Sequence, residues 1–162
     1  MKKLPWMGAA LCAALAVCGA PRMQAQFTPA GGGSAQSIPQ SALVQPETLA
    51  QQIKAGGVAR PLVLQVGSRV MFRQAHIAGA KYAGAGSQPE GLELLAATVA
   101  KVKKSAPIVL YCGCCPWNRC PNVSPAFEKL RALGFTNVKV LYIASNFGAD
   151  WAQRGYAVES GE

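Results

Sequence analysis

Apolar residues recur at three- and four-residue intervals in three segments, and each segment is predicted to form an amphipathic helix. The segments are 47–55, 90–104 and 125–133. Gly56 and Gly134 follow the first and third helices, where glycine commonly ends a helix. Ser124 is expected to cap the third helix, because the next residue, Pro125, suits the first helical position.

Short apolar runs lie between these helices, over residues 61–66, 108–111 and 138–143. The run Ile108 to Tyr111 has no charged or amide position, which is typical of a strand buried on both faces of a parallel sheet. Strands separated by helices need crossover connections, and these favour parallel pairing. The pattern therefore predicts an α/β domain with a mostly parallel central sheet flanked by helices.

The first 42 residues differ in character from the rest of the chain. Lys2 and Lys3 precede an apolar run over 4–20, and small and polar residues follow it up to Ala25, which is the layout of a secretory signal peptide. The run is shorter than the ~20 residues that span a bilayer, so a retained membrane anchor is the weaker interpretation. Residues 26–42 are rich in Gly, Ser, Gln, Pro and Ala, and this composition predicts a flexible linker.

These segments predict how the chain is divided and where it acts. We expect a signal peptide over 1–25, a linker over 26–42 and one folded domain over 43–160. Export would place the mature chain in the periplasm or outside the cell, with no stable membrane insertion once the signal peptide is removed.

The chain is strongly basic. Loss of Lys2, Lys3 and Arg22 with the signal peptide lowers its net charge from +9 to about +6. Most of the remaining basic residues are scattered and lack interleaved aromatic residues, so no nucleic-acid partner is expected. The charge is interpreted as a solvated surface or, alternatively, as a field that attracts small anions.

Four of the six cysteines lie in one loop that follows the predicted strand 108–111. They are Cys112, Cys114, Cys115 and Cys120. Ligands of open parallel sheets bind beyond the carboxyl ends of the strands, so this loop is the expected site of chemistry. Cys112 is the first residue after the strand, where loop N–H groups and the N-terminus of the next helix favour a thiolate. Such a sulfur is a nucleophile that needs no separate catalytic base.

Several short motifs occur in the order and at the spacing of the rhodanese family of sulfurtransferases, which the chain resembles over most of the predicted domain. His76–Ala80 is similar to the family's H-I-x-G-A segment, and Val109–Cys112 is similar to its strand that ends in the active cysteine. Leu130–Val138 is similar to L-x-x-x-G-F-x-x-V, and Trp151–Tyr156 is similar to the closing W-x-x-x-G-Y. The resemblance implies a single rhodanese-like domain.

The resemblance also implies a function, that of an exported sulfurtransferase or persulfide carrier. Cys112 would take sulfane sulfur from a small anionic donor such as thiosulfate, and Gly113, Trp117 and Arg119 are the candidate donor-binding residues. No organic cofactor is expected, because no phosphate-cradling glycine motif follows any predicted strand, and no metal ligand is assigned. A thiol or redox protein is the expected partner. His76 is expected to form structural hydrogen bonds rather than to act as a base.

The chain departs from the family pattern in three places, one of which is Ser145–Gly148, where the family commonly has Gly-Gly after the last strand. Gln65–Gly67 replaces the usual Asp-x-Arg, and the loop is longer than the usual C-x-x-G-x-R. Cys114, Cys115 and Cys120 can form a loop disulfide, for example between Cys115 and Cys120, or one of them can resolve a persulfide on Cys112. Three alternative functions are a thiol–disulfide module that uses the four loop cysteines, a zinc or cuprous thiolate cluster, and a non-catalytic interaction domain.

Overall fold

The structure is a computed structural model, and it describes residues 38–57 and 60–162. The predicted signal peptide, 1–25, and residues 26–37 of the predicted linker lie outside the described residues. None of the helices in the described ranges combines the length and the apolar character that crossing a membrane would require.

Seven strands of the described chain form two sheets. In chain order they are β1 (Leu43–Val44), β2 (Leu62–Gln65), β3 (His76–Ile77), β4 (Lys81–Tyr82), β5 (Ile108–Tyr111), β6 (Val138–Leu141) and β7 (Val158–Glu159). The central sheet is parallel throughout, in the order β1-β6-β5-β2-β4, so β5 is its middle strand. β3 and β7 pair antiparallel in a separate sheet. The predicted parallel central sheet is confirmed.

Helices cover both faces of this sheet. They are α1 (Pro46–Ala55), α2 (Arg69–Gln74), α3 (Pro89–Thr98), α4 (Val123–Ala132) and α5 (Phe147–Asp150). Leu95 of α3 and Leu130 of α4 belong to one buried cluster. Leu49 of α1, Phe72 of α2 and Phe147 of α5 belong to a second cluster on the opposite face. The α/β architecture with helices on both faces is the one that the sequence predicted.

β5 is buried on both faces, as its apolar run predicted. Ile108 and Leu110 pack in the cluster beneath α3 and α4, whereas Val109 and Tyr111 pack in the opposite cluster. Successive side chains of a strand point to opposite faces. Cys112, which follows β5, therefore lies on the same side as Leu110 and packs in the same cluster.

Two predicted helix boundaries differ from the observed ones. α3 ends at Thr98 rather than at residue 104, because the chain tightens into turns that begin at Val99. α4 begins at Val123, before the predicted start, and its N-cap residue is Asn122 instead of Ser124. Ser124 lies inside the first turn, where a following proline is still tolerated.

Candidate active site

Cys112 lies at the carboxyl end of the central strand, at the start of the loop 112–122 that leads into α4. Its side chain is only 4% exposed and packs against the core beneath α3 and α4. This edge of a parallel sheet is where ligands commonly bind, so the cysteine occupies the position that the sequence predicted for the site.

Backbone contacts determine the course of the loop. Gly113 has a φ of +91°, a left-handed conformation that favours glycine, and it allows the chain to leave the direction of β5. The Phe147 N–H donates to the Gly113 carbonyl (2.8 Å), and the Trp117 N–H donates to the Ile143 carbonyl (2.8 Å). Residues 143–147, which lead from β6 into the first residue of α5, thus hold the loop at two points.

Three sulfur atoms lie close together in the loop. Cys112 Sγ is 3.2 Å from Cys114 Sγ, and the sulfurs of Cys112, Cys114 and Cys120 lie within 4.8 Å of one another. Cys115 Sγ lies 3.2 Å from Cys114 Sγ. Cys112 and Cys120 are buried, whereas Cys114 is exposed, and all four thiols are unbridged. This spacing suits thiol–disulfide exchange and also suits a soft metal ion.

Hydrogen bonds determine which of these sulfurs is ionised. The pKa of Cys112 is lowered from 9.0 to about 6, chiefly by the hydrogen bond from the Cys120 thiol and against the opposing effect of burial. The Cys114 N–H, the Cys114 thiol and the Asn122 amide also donate to it. Burial, together with donation to Cys112, raises the pKa of Cys114 to about 12, and donation to Cys112 with burial raises the pKa of Cys120. The site therefore holds one thiolate beside protonated thiols.

The end of β2 forms a wall of the site. Gln65 is 2% exposed, and its Nε2 donates to the Cys112 carbonyl (3.1 Å) while its Oε1 accepts from the Gly67 N–H (3.2 Å). A Cβ atom at Gly67 would lie 2.7 Å from Cys112 Sγ, which is closer than real Cβ contacts. Gln65 therefore positions the backbone of Cys112, and Gly67 leaves room for its sulfur. Neither role was predicted from the sequence.

Asn122 links the sulfur to a second loop. Its Nδ2 donates to Cys112 Sγ (3.4 Å), and its Oδ1 accepts from the Ser87 N–H (3.0 Å). This residue was also missed by the sequence analysis. The available signal was the preference of asparagine for helix N-termini, since Asn122 is the N-cap residue of α4.

Comparison with known proteins identifies the fold. No family model matches the chain, and no curated protein matches it. A Bacillus halodurans protein of known structure is 24% identical, covers 74% of this chain and 77% of its own, and has a TM-score of 0.58. The rhodanese-like domain of an Anabaena protein is 22% identical, covers 74% of this chain and 79% of its own, and has a TM-score of 0.53. The fold is rhodanese-like.

Part of a larger enzyme is similar to this rhodanese-like fold. The anaerobic ergothioneine biosynthesis enzyme of Chlorobium limicola is 19% identical, with a TM-score of 0.53. The similarity covers 72% of this chain but 27% of that one. Similarity at this level of identity establishes the fold alone, so the function has to be argued from the residues of the site.

The rhodanese-like fold brings some of the predicted site residues together and places others at the rim. Cys112, Cys114 and Cys120 form the sulfur group, and Gly113 provides the turn beside it. Trp117 is half-buried, with its ring 6.4 Å from that of Tyr142. Arg119 is exposed at the end of the 3₁₀ turn Trp117–Arg119. Contact of Gly113, Trp117 or Arg119 with a donor stays a prediction.

His76 lies on β3 and has a structural role. Its Nδ1 donates to the Phe72 carbonyl (2.8 Å), and its ring stacks on that of Phe72 with the centroids 3.9 Å apart. The imidazole is buried, and its Nε2 faces Glu159 at 3.8 Å. The predicted structural hydrogen bond is confirmed.

Proposed function

We propose that this protein is a sulfurtransferase or persulfide carrier in which Cys112 takes sulfane sulfur from a small anionic donor such as thiosulfate. The observation that carries the proposal is the setting of the Cys112 sulfur. It lies at the carboxyl end of the central strand and accepts hydrogen bonds from two thiols, one backbone N–H and one carboxamide. Such donors favour a thiolate, which is the reactive form of cysteine.

The transfer step requires only that thiolate. Cys112 Sγ attacks the outer sulfur of thiosulfate, a new S–S bond forms, and the old S–S bond breaks as sulfite leaves with its electron pair. The product is a persulfide whose negative charge is one atom farther from Cys112 Sγ. The Cys114 N–H and the Asn122 amide remain as donors near that charge.

Donor binding is proposed for the exposed rim of the loop. Arg119 lies on the 3₁₀ turn of the same loop and is exposed, so its guanidinium is available to an anion. Trp117 is packed beside Tyr142 and would form a wall of the donor site. Export also belongs to the proposal, and it would require a thiol or redox partner outside the cytoplasm to keep the loop reduced.

Sulfite release from thiosulfate tests this function. Reduced protein should release sulfite, and with excess cyanide present it should form thiocyanate. Both products should be lost in Cys112→Ser and retained in Cys115→Ser, the matched control within the same loop. Equal sulfite release by wild type and Cys112→Ser, or release by neither, would contradict the proposal.

A metal site is the second candidate function, and the spacing of the three sulfurs supports it. Soft thiolate sets favour zinc or cuprous ions, and the Cys112, Cys114 and Cys120 sulfurs lie within 4.8 Å of one another. This function would replace sulfur transfer if reduced protein carried stoichiometric metal that Cys114→Ser lost, while no variant released sulfite.

A further inference from the structure

Two neighbouring sulfurs of the loop, those of Cys112 and Cys114, differ in their access to solvent. Cys112 is buried, whereas Cys114 is exposed, yet their sulfurs are only 3.2 Å apart. A sulfane sulfur on Cys112 would be surrounded by core and loop atoms, including the backbone of Gly67. An external acceptor would reach this sulfane sulfur less readily than Cys114 would. The Cys114 sulfur already contacts Cys112 Sγ, the atom to which the sulfane sulfur is bonded.

We infer that Cys114 resolves the Cys112 persulfide, so that the loop reduces sulfane sulfur to hydrosulfide and becomes a Cys112–Cys114 disulfide. This inference rests on the proposed function, because Cys112 must first accept sulfur. It adds an activity to that function, since the product is free hydrosulfide rather than sulfur transferred to another molecule.

The geometry supports attack on the inner sulfur. After transfer, the inner sulfur of the persulfide is Cys112 Sγ itself, and the Cys114 sulfur lies 3.2 Å from it. Reacting atoms in near-attack arrangements are about 3–3.5 Å apart. Cys114 therefore needs little movement before a bond to Cys112 Sγ can form.

The step balances within the loop. The Cys114 thiol first gives its proton to the charged outer sulfur of the persulfide, and the Cys114 thiolate so formed bonds to Cys112 Sγ as the bond between Cys112 Sγ and the sulfane sulfur breaks. The departing sulfur takes the electron pair of that bond together with the Cys114 proton, and it leaves as hydrosulfide. The two cysteine sulfurs are oxidised by two electrons in total, and the sulfane sulfur is reduced by two.

The other two cysteines are less suited to this role. Cys120 is buried, so a disulfide that contained it in place of Cys114 would be shielded from an external reductant. Cys115 lies 3.2 Å from Cys114 and outside the group of three sulfurs. A Cys112–Cys114 disulfide instead offers its exposed Cys114 sulfur to a dithiol reductant, which would reset the loop for another turnover.

A single-turnover experiment with thiosulfate and no added thiol tests the inference. Reduced wild-type protein should release one sulfite and one hydrosulfide per chain, and its intact mass should then show the loss of two hydrogens. Cys114→Ser should release sulfite, retain the mass of one added sulfur atom and release no hydrosulfide. Cys115→Ser is the matched control and should behave as the wild type does.

The outcomes separate this inference from the function on which it rests. Wild-type protein that keeps the added sulfur and releases no hydrosulfide would overturn the inference while leaving sulfur transfer intact. Hydrosulfide release by Cys114→Ser would also overturn it, because another thiol would then be the resolving one. Absence of sulfite from every variant would overturn the proposed function, and the inference would fail with it.

Discussion

Cys112 differs from Cys114 and Cys120 in accepting hydrogen bonds where those two thiols donate. The thiols of Cys114 and Cys120 both face its sulfur, and each must keep its proton in order to donate. The arrangement concentrates the negative charge on the buried sulfur. If the same cysteines did not donate hydrogen bonds to one common sulfur, each thiol would keep a pKa near its ordinary value.

This difference predicts the pH dependence of the thiolate. The ultraviolet thiolate absorbance of reduced wild-type protein, minus that of Cys112→Ser, should rise with a midpoint near pH 6, because the pKa of Cys112 is lowered to about 6. Above that midpoint the sulfur is ionised and reactive, and below it sulfite release from thiosulfate should fall with the thiolate fraction. A midpoint near the ordinary value of 9.0 would contradict the prediction.

Asn122 supplies a control for the cause of this shift. Asn122→Ala removes one donor to Cys112 Sγ and should move the midpoint to higher pH. Asn118→Ala is the matched change, since Asn118 is an exposed residue of the same loop and should leave the midpoint in place. Equal midpoints in the two variants would show that the Asn122 amide does not influence the thiolate.

Residue roles were predictable where they depend on position along the chain. Cys112 was identified because it directly follows a buried strand. Gln65 and Gly67 were not, because they meet Cys112 only across the sheet, and Gln65 is separated from it by 47 residues. Contacts of this kind arise from the strand order β5-β2, which the local pattern of apolar residues does not contain.

At the scale of elements, α3 packs through one narrow face. Leu95 is 0% exposed beneath the helix, whereas its neighbour Leu94 is 38% exposed. Leu95→Ala should lower the free energy of unfolding by about 2–5 kcal/mol, because it leaves a cavity in the core. Leu94→Ala, the matched change at an exposed position, should lower the free energy of unfolding by less than about 1 kcal/mol. Urea denaturation measures both values, and equal losses would contradict this packing.

The longer helices and strands were predictable because the apolar residues of each follow one regular spacing along the whole element. β5 matches its predicted range, and α1 extends the predicted helix by one residue. α2 and α5 were not predicted, since four to six residues show no reliable helical period. Tertiary packing stabilises such short helices, and Phe72 and Phe147 are the buried side chains that anchor them.

At the scale of the whole molecule, the folded core includes residues that precede β1. Ile38 is 4% exposed and packs in the cluster beneath α3 and α4, although residues 26–42 were predicted to be a linker. Ile38→Ala should therefore lower the free energy of unfolding by about 2–5 kcal/mol. The measurement is again urea denaturation of the full chain.

The matched control for Ile38 is Ile53→Ala, which removes the same atoms from a half-buried position of α1. Ile53→Ala should lower the free energy of unfolding by less than Ile38→Ala does, because side-chain atoms that are already partly hydrated contribute less to stability. A negligible effect of Ile38→Ala would instead support a domain that begins at Leu43.

The two backbone hydrogen bonds from Phe147 and Trp117 limit which molecules can approach the buried thiols. Swinging the loop outward would break both, at a cost of about 1 kcal/mol each, and would expose the apolar residues beneath it. The loop therefore stays over Cys112, whose side chain is 4% exposed. A molecule from solution therefore meets the exposed Cys114 sulfur first, and small ions approach the buried Cys112 sulfur more readily than does the surface of a folded protein.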